Sequence, residues 1–311
     1  MMDKSKRLFC FGYGYTCDYL GHALQNAGGW TVSGTTRDPE KRRMLLSQRI
    51  RAHIFDYEHP LPDPYFVLRD VTHLLISTPP DDTGDPTFGM HGEDLLRLPN
   101  LEWVGYLSTT GVYGDRNGGW VDENSEIRPT SRRGSRRLRA EEQWYSLFEH
   151  YGLPLHIFRL SGIYGPGRSA LDSVRAGVAR RIDKPGQAFN RIHVEDIVQV
   201  LMASFAKPRP GAIYNLADDD PEPSHEVIRY ACELLDIVPP RLIPYDEADM
   251  APIARSFYQD NKRIKNDLIK QELGIHLKYP SFRDGLVGCL EAERYARQNA
   301  FRHAASLGSG D

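Results

Sequence analysis

The first half of the chain alternates short apolar runs with stretches in which apolar residues return every three or four positions. Residues 7–12 (RLFCFG) form a run of strand length, and 19–28 (YLGHALQNAG) set Leu20, Ala23, Leu24 and Ala27 on one helical face. Residues 30–36 (WTVSGTT) are strand-like again, and 38–48 read as a helix opened by Asp38 and Pro39. Residues 51–56, 72–78, 103–109 and 153–160 continue the strand series, with helical segments between most of them. That alternation predicts an α/β fold: a Rossmann-type, doubly wound parallel sheet with helices on both faces.

The second half is less regular. Residues 194–205 carry Val194, Ile197, Val198, Leu201, Met202 and Phe205 at the helical period, and 211–217 read as a last strand. A helix beginning behind Ser224 as its N-cap follows, then two more over 264–274 and 281–298. The Pro-rich points at 79–80, 208–211 and 239–240 punctuate loops, and no internal repeat is present. The expected layout is a nucleotide-binding domain over 1–165, completed by about 185–217, with a smaller C-terminal substrate lobe from 166–184 and 218–300. Residues 301–311, small and polar, are expected to be a flexible tail.

Composition narrows the class. Hydrophobic residues make up 40% and charged residues 26%, as in soluble globular proteins. The net charge of −3 argues against a nucleic-acid partner, so the five arginines within 132–139 are a local feature. Cys10, Cys17, Cys232 and Cys289 form no CxxC pair, which suggests neither a zinc site nor a disulfide framework but reduced thiols of a cytoplasmic protein. The N-terminal apolar run, LFCF, is too short for a signal peptide, and no segment is long enough to span a bilayer.

The first candidate chemistry is Gly12-x-Gly14-x-x-Cys17, placed after the first predicted strand and before the first predicted helix. Glycine lets the backbone approach a pyrophosphate, and the helix N-terminus supplies free N–H groups and a positive dipole end. Cys17 stands where a third glycine would allow close helix–strand packing; it is small enough to serve. The second strand ends in Thr35 and Thr36, followed by Arg37, with no carboxylate to hold ribose hydroxyls. A carboxylate would repel a 2′-phosphate and an arginine can pair with it, so NADP is expected, with NAD the alternative. Arg37 can also be read as a plain surface residue at a helix start. Asp56 either accepts a bond from the adenine amino group or begins a turn.

Several motifs, in the right order, resemble the extended short-chain dehydrogenase/reductases, the NAD-dependent epimerase/dehydratase family. They are GYGYT (12–16), YLSTTGVYGD (106–115), FRLSGIYGPGR (158–168) and RIHVEDIVQVL (191–201). Residues 74–86 and 261–274 look like an atypical bacterial sugar-epimerase-like branch that often lacks the usual active-site pair. The resemblance implies cofactor contacts from Gly12, Gly14, Tyr15, Thr16, Arg37, Asp56, Thr78, Pro79 and Pro166.

The same resemblance implies a Tyr-x-x-x-Lys pair on one helix face, where the lysine lowers the tyrosine pKa for proton exchange. Aligning Pro129, Gly134 and Glu141 with the family pattern puts Arg133 in the tyrosine slot and Arg137 in the lysine slot. Guanidinium does not titrate usefully, and no tyrosine lies between Tyr113 and Tyr145. The remaining catalytic candidates are Thr109, in the family's serine/threonine position, Tyr113, and Arg137. Thr109 can alternatively cap the strand end; Tyr113 and Tyr164 can alternatively be packing residues, and His193 reads best as a cap or core histidine. Gly162 stands where many relatives place a substrate-contacting asparagine. The expected function is an NAD(P)-dependent oxidoreductase or epimerase with a non-standard acid/base site. The alternative is a non-catalytic NADP(H)-binding sensor. The expected partner is a small-molecule substrate, anionic or a nucleotide sugar, with a possible homodimer built on the arginine-bearing helix.

Overall fold

The computed structural model of the chain describes residues 6–307, with side chains through 299. Strand and helix alternate as β1 (Lys6–Phe11), α1 (Tyr15–Ala27), β2 (Trp30–Thr36), α2 (Pro39–Ser47), β3 (Arg51–Ile54), α3 (Pro64–Leu68), β4 (His73–Ile76), α4 (Pro86–Leu95) and β5 (Trp103–Thr109). Then come β6 (Trp120–Val121), α5 (Arg132–Tyr151), β7 (Leu155–Leu160), β8 (Gly162–Tyr164), α6 (Ala170–Arg175), β9 (Arg181–Asp183), β10 (Arg191–His193), α7 (Val194–Ala206) and β11 (Ile213–Leu216). The chain ends through α8 (Ser224–Leu234), β12 (Leu242–Pro244), α9 (Pro252–Ser256), β13 (Arg263–Ile264), α10 (Asp267–Leu273) and α11 (Phe282–Leu307).

Seven strands pair in parallel in the order β11-β7-β5-β4-β1-β2-β3. The alternation along β1 shows why both faces are covered. Leu8 and Cys10 join one core with Leu20 and Leu24 of α1 and Ile197 and Leu201 of α7. Phe9 and Phe11 join the opposite core with Ile76, Tyr106, and Trp144 and Leu147 of α5. Each such side chain contributes about 1.5–3 kcal/mol on full burial. The strand order reverses beside β1, whose neighbours are β2 and β4, and that switch point is where such sheets open a crevice at their C-terminal ends.

The chain leaves this sheet after β7, returns with α7 and β11, and leaves again. Outside it, β8 pairs with β10, β9 with β12 and β6 with β13, all in parallel. A separate cluster of Leu171, Val227, Ile228, Phe282 and Leu286 joins α6, α8 and α11. Several local expectations are corrected. Helix α1 begins at Tyr15, four residues earlier than its apolar face indicated, and Pro223 rather than Ser224 occupies the cap of α8. Strands β3 and β4 stop at Ile54 and Ile76, before the polar turns that follow them. Helix α11 continues through Leu307, so residues 301–307 of the expected tail are helical; 308–311 lie outside the described residues. Among the described residues no helix is long and apolar enough to cross a membrane, and no group of His, Cys, Asp and Glu is arranged to hold a metal ion.

Candidate cofactor cleft and active site

The glycine loop is built against the ends of β2 and β4. Gly12 has φ +79°, and a Cβ there would lie 3.1 Å from the Thr78 backbone nitrogen. Its N–H donates to Thr35 Oγ1 at 2.8 Å, and the Tyr13 N–H donates to the Thr35 carbonyl at 2.6 Å. Tyr13 itself is buried under the loop, and its phenol occupies the space a side chain at Gly21 would need. Cys17 is fully buried and its thiol donates to the Gly12 carbonyl at 3.6 Å, so a small side chain at this position lets α1 approach the loop. Gly14 caps α1 with no side-chain hydrogen bond to the first turn. Bare glycines and an uncapped helix N-terminus fit the pyrophosphate of a dinucleotide.

Two of the expected cofactor residues are in direct contact. The Tyr15 phenol donates to the Pro166 carbonyl at 3.0 Å, and the Arg168 guanidinium lies 5.6 Å from the Tyr15 ring. Thr16 is buried in the first turn of α1. At the end of β2 both threonine hydroxyls are engaged, Thr35 with the Gly12 N–H and Thr36 with the Asp38 N–H, while Arg37 is exposed. Asp38 caps α2 by accepting from Glu40 N–H at 2.8 Å. Asp56 closes a turn: one carboxylate oxygen accepts from the Glu58 and His59 N–H groups and pairs with the His59 ring. Thr78 is buried with its hydroxyl on Thr87, so its backbone and its methyl group, not its hydroxyl, face Gly12, and Pro79 is exposed beside it.

The structure separates the three catalytic candidates. Thr109, half-buried at the end of β5, accepts from the Gly111 N–H at 3.1 Å and so caps the following turn. An oxygen used as acceptor still has its hydroxyl proton to donate. Arg137 turns under α5, donating to the Leu107 carbonyl at 2.7 Å and to the Tyr106 phenol at 3.3 Å. Tyr113 is removed from the cleft. It is fully buried, donates to Asn215 Oδ1 at 2.8 Å and accepts from Arg159 at 3.0 Å, and burial pushes its pKa up. The catalytic expectation for Tyr113 is corrected accordingly, because a phenol with both capacities used has none left for a substrate. Arg133, which the alignment assigns to the tyrosine slot, is exposed and lies 5.1 Å from the Phe257 ring. Tyr164 donates to the Ser281 carbonyl at 3.4 Å and packs against Gly285. His193 is buried, caps α7 by accepting from the Glu195 N–H, and is held neutral by burial, its pKa pushed down to about 4.

Three features escaped the sequence reading. Arg159 and Glu141 form a buried ion pair at 2.8 Å, each side chain only 4% exposed, to which the Ser108 hydroxyl also donates. One arginine inside the apolar run LHIFRL was the available signal, since a buried charge requires a partner. Ser161, one residue beyond the Thr109–Leu160 pairing of β5 and β7, is buried with an unpartnered hydroxyl. Asp82, in the loop after β4, is gripped by both Arg132 and Arg136.

A seven-stranded parallel sheet with its glycine loop at the switch point defines a Rossmann-type α/β protein. The model of the NAD dependent epimerase/dehydratase family matches residues 94–217 of the chain. It is similar to a functionally unknown conserved protein from Silicibacter pomeroyi DSS, with 48% identity, 92% of this chain and 99% of that one covered, and a TM-score of 0.85. It is 28% identical to Protein YeeZ of Escherichia coli K12 over 297 residues, which span 92% of this chain and 100% of that protein. It shares its fold with UDP-glucuronic acid 4-epimerase from Bacillus cereus, solved in complex with NAD, at 16% identity, 90% and 96% coverage and a TM-score of 0.72.

Proposed function

We propose that the protein is an NAD(P)-dependent oxidoreductase or epimerase of the extended short-chain dehydrogenase/reductase type, that it prefers NADP, and that it works without a Tyr-Lys relay. The observation that carries the reading is the phosphate loop. Gly12 and Gly14 present bare backbone, and no side chain caps the first turn of α1. Gly12, Gly14, Tyr15 and Thr16 would hold the pyrophosphate, and Tyr15 with Pro166 would bound the far side of the cleft. The bound cofactor supplies the hydride donor or acceptor. The preference for NADP rests on the absence of a carboxylate at the end of β2, where the exposed Arg37 would pair with a 2′-phosphate.

Arg137 keeps a fixed positive charge beneath α5, and Thr109 keeps a hydroxyl proton for a substrate oxygen; neither acts as the family's phenol does. The B. cereus relative of like fold, which is described with bound NAD, supports a dinucleotide but not the choice between its two forms. One observation favours a second reading, a non-catalytic NADP(H) sensor: the tyrosine slot holds Arg133, and the nearby Tyr113 is fully engaged.

Titration of the purified protein with NADPH and NADH, followed by nicotinamide fluorescence, tests the proposal. NADPH is expected to bind about tenfold more tightly, the effect of one charge-assisted contact. No binding of either nucleotide overturns both readings, and equal binding overturns the NADP preference. With NADPH bound, absorbance loss on a panel of aldehydes, sugars and keto acids separates enzyme from sensor. Turnover should fall by about a hundredfold in Thr109→Val.

A further inference from the structure

The first two turns of α5 carry Arg132, Arg133, Arg136 and Arg137, and no acidic residue lies in its first turn. Positive charge at a helix N-terminus is disfavoured by the helix dipole, so this arrangement calls for a counter-anion. Arg137 is spent on a neutral carbonyl and a phenol, and Arg133 lies over Phe257. Among the described residues the only carboxylate that pairs with any of the four is Asp82. Arg132 Nε donates to its Oδ1 at 2.8 Å and Arg136 Nε to the same oxygen at 2.6 Å, while the terminal nitrogens of both arginines add further contacts. Two guanidinium charges therefore share one carboxylate charge.

The position matters as much as the charge. Asp82 belongs to the loop that begins at Thr78 against Gly12 of the phosphate loop and ends at α4. The clamp thus stands on the segment that leads away from Gly12's neighbour Thr78 and on the helix onto which the alignment places the tyrosine and lysine slots. It is open to solvent, the side chains of Arg132, Arg136 and Asp82 being 77%, 26% and 53% exposed. The loop also holds its shape without Asp82. Asp81 accepts from the Thr83 N–H at 2.7 Å, the Asp81 N–H donates to the Gly84 carbonyl at 2.9 Å, and the Tyr57 phenol donates to the same carbonyl at 2.9 Å. Asp82 can leave without unravelling the segment that presents it.

We propose that Arg132 and Arg136 form a phosphate-recognition clamp for the substrate, and that Asp82 is a resident carboxylate which a phosphate group displaces. A dianionic phosphate balances both guanidinium charges where the carboxylate balances one, and its oxygens accept the same forked contacts. The term substrate rests on the function proposed above; the anion site itself does not.

The test is isothermal titration calorimetry of inorganic phosphate into the full-length protein at constant ionic strength, for the wild type, Asp82→Asn and the double variant Arg132→Gln/Arg136→Gln. Asp82→Asn should bind phosphate about tenfold more tightly than the wild type, and the double variant should lose that binding. Phosphate binding that neither variant alters belongs to the glycine loop and overturns the clamp, as does the absence of binding in both the wild type and Asp82→Asn. NADPH titration of the same proteins keeps the two proposals apart. Cofactor binding with no variant-sensitive phosphate site sinks the clamp alone. A variant-sensitive phosphate site without cofactor binding supports the clamp and sinks the proposed function alone.

Discussion

Replacing Glu141 by leucine exposes the logic of the buried network beneath the candidate site. Its carboxylate accepts three contacts from Arg159, two at 3.2 Å and one at 2.8 Å, and a fourth from the Ser108 hydroxyl. Glu141→Leu leaves the guanidinium of Arg159 buried without its carboxylate, and the Tyr113 hydroxyl, which accepts from it at 3.0 Å, compensates only in part. Removing one partner of such a pair costs about 3–5 kcal/mol, because the remaining charge is not rehydrated. The double variant Glu141→Leu/Arg159→Met removes the stranded charge and should recover most of that loss, since apolar replacements of buried ion pairs are often neutral or stabilising by about 1–4 kcal/mol. The recovery will be incomplete, because the Ser108 and Tyr113 hydroxyls each lose a partner at a cost of about 1–3 kcal/mol. Urea unfolding followed by both circular dichroism and tryptophan fluorescence gives the free energies, coincident curves licensing the two-state treatment. A single variant that loses less than about 1 kcal/mol, or a double variant less stable than Glu141→Leu, would refute the assignment of a desolvated pair.

Other expectations follow from the loop and the buried histidines. Gly12→Ala should weaken NADPH binding by at least about tenfold, since the position has φ +79° and crowds the Thr78 nitrogen. Gly28→Ala, with φ +74° and open space, should leave binding unchanged, and equal losses in the two would disprove the steric account. Arg37→Glu should cost NADPH about tenfold or more while sparing NADH; fluorescence titration showing parallel losses would remove Arg37 from the 2′-phosphate site. His73, His156 and His193 are buried and their pKa values are each pushed down to about 4, mainly by desolvation. Because the unfolded chain takes up these protons near pH 6.5 and the folded protein does not, stability is complete above that pH. It declines as the pH falls from 6.5 toward 4, so the urea midpoint at pH 5 should lie below that at pH 7.5, and an unchanged midpoint would contradict the burial argument.

The parts of the site that were legible in the sequence are those made by neighbours in the chain. Gly12, Gly14 and the start of α1 form one local turn, and the absence of a carboxylate at Thr35, Thr36 and Arg37 needs no partner to be noticed. Tyr113 was misjudged because its loop does border the sheet end, yet its phenol is claimed by Asn215 and Arg159, which are 102 and 46 residues away. Asp56 had two open readings, and its contacts with Glu58 and His59 show that its carboxylate serves a turn.

Hydrophobic periodicity and glycine placement determined the alternating strands and helices, the parallel sheet and the phosphate loop, because backbone sterics and side-chain spacing act within a few residues. The same local logic set five arginines within 132–139, without stating what they meet. Only the tertiary structure decided that Arg132 and Arg136 hold Asp82, that Arg137 turns to the Leu107 carbonyl, and that Glu141 is sealed against Arg159. Electrostatic partners are chosen by distance in space, and the chain brings these groups together only when β4, β5, α5 and β7 pack into one sheet and its covering layer.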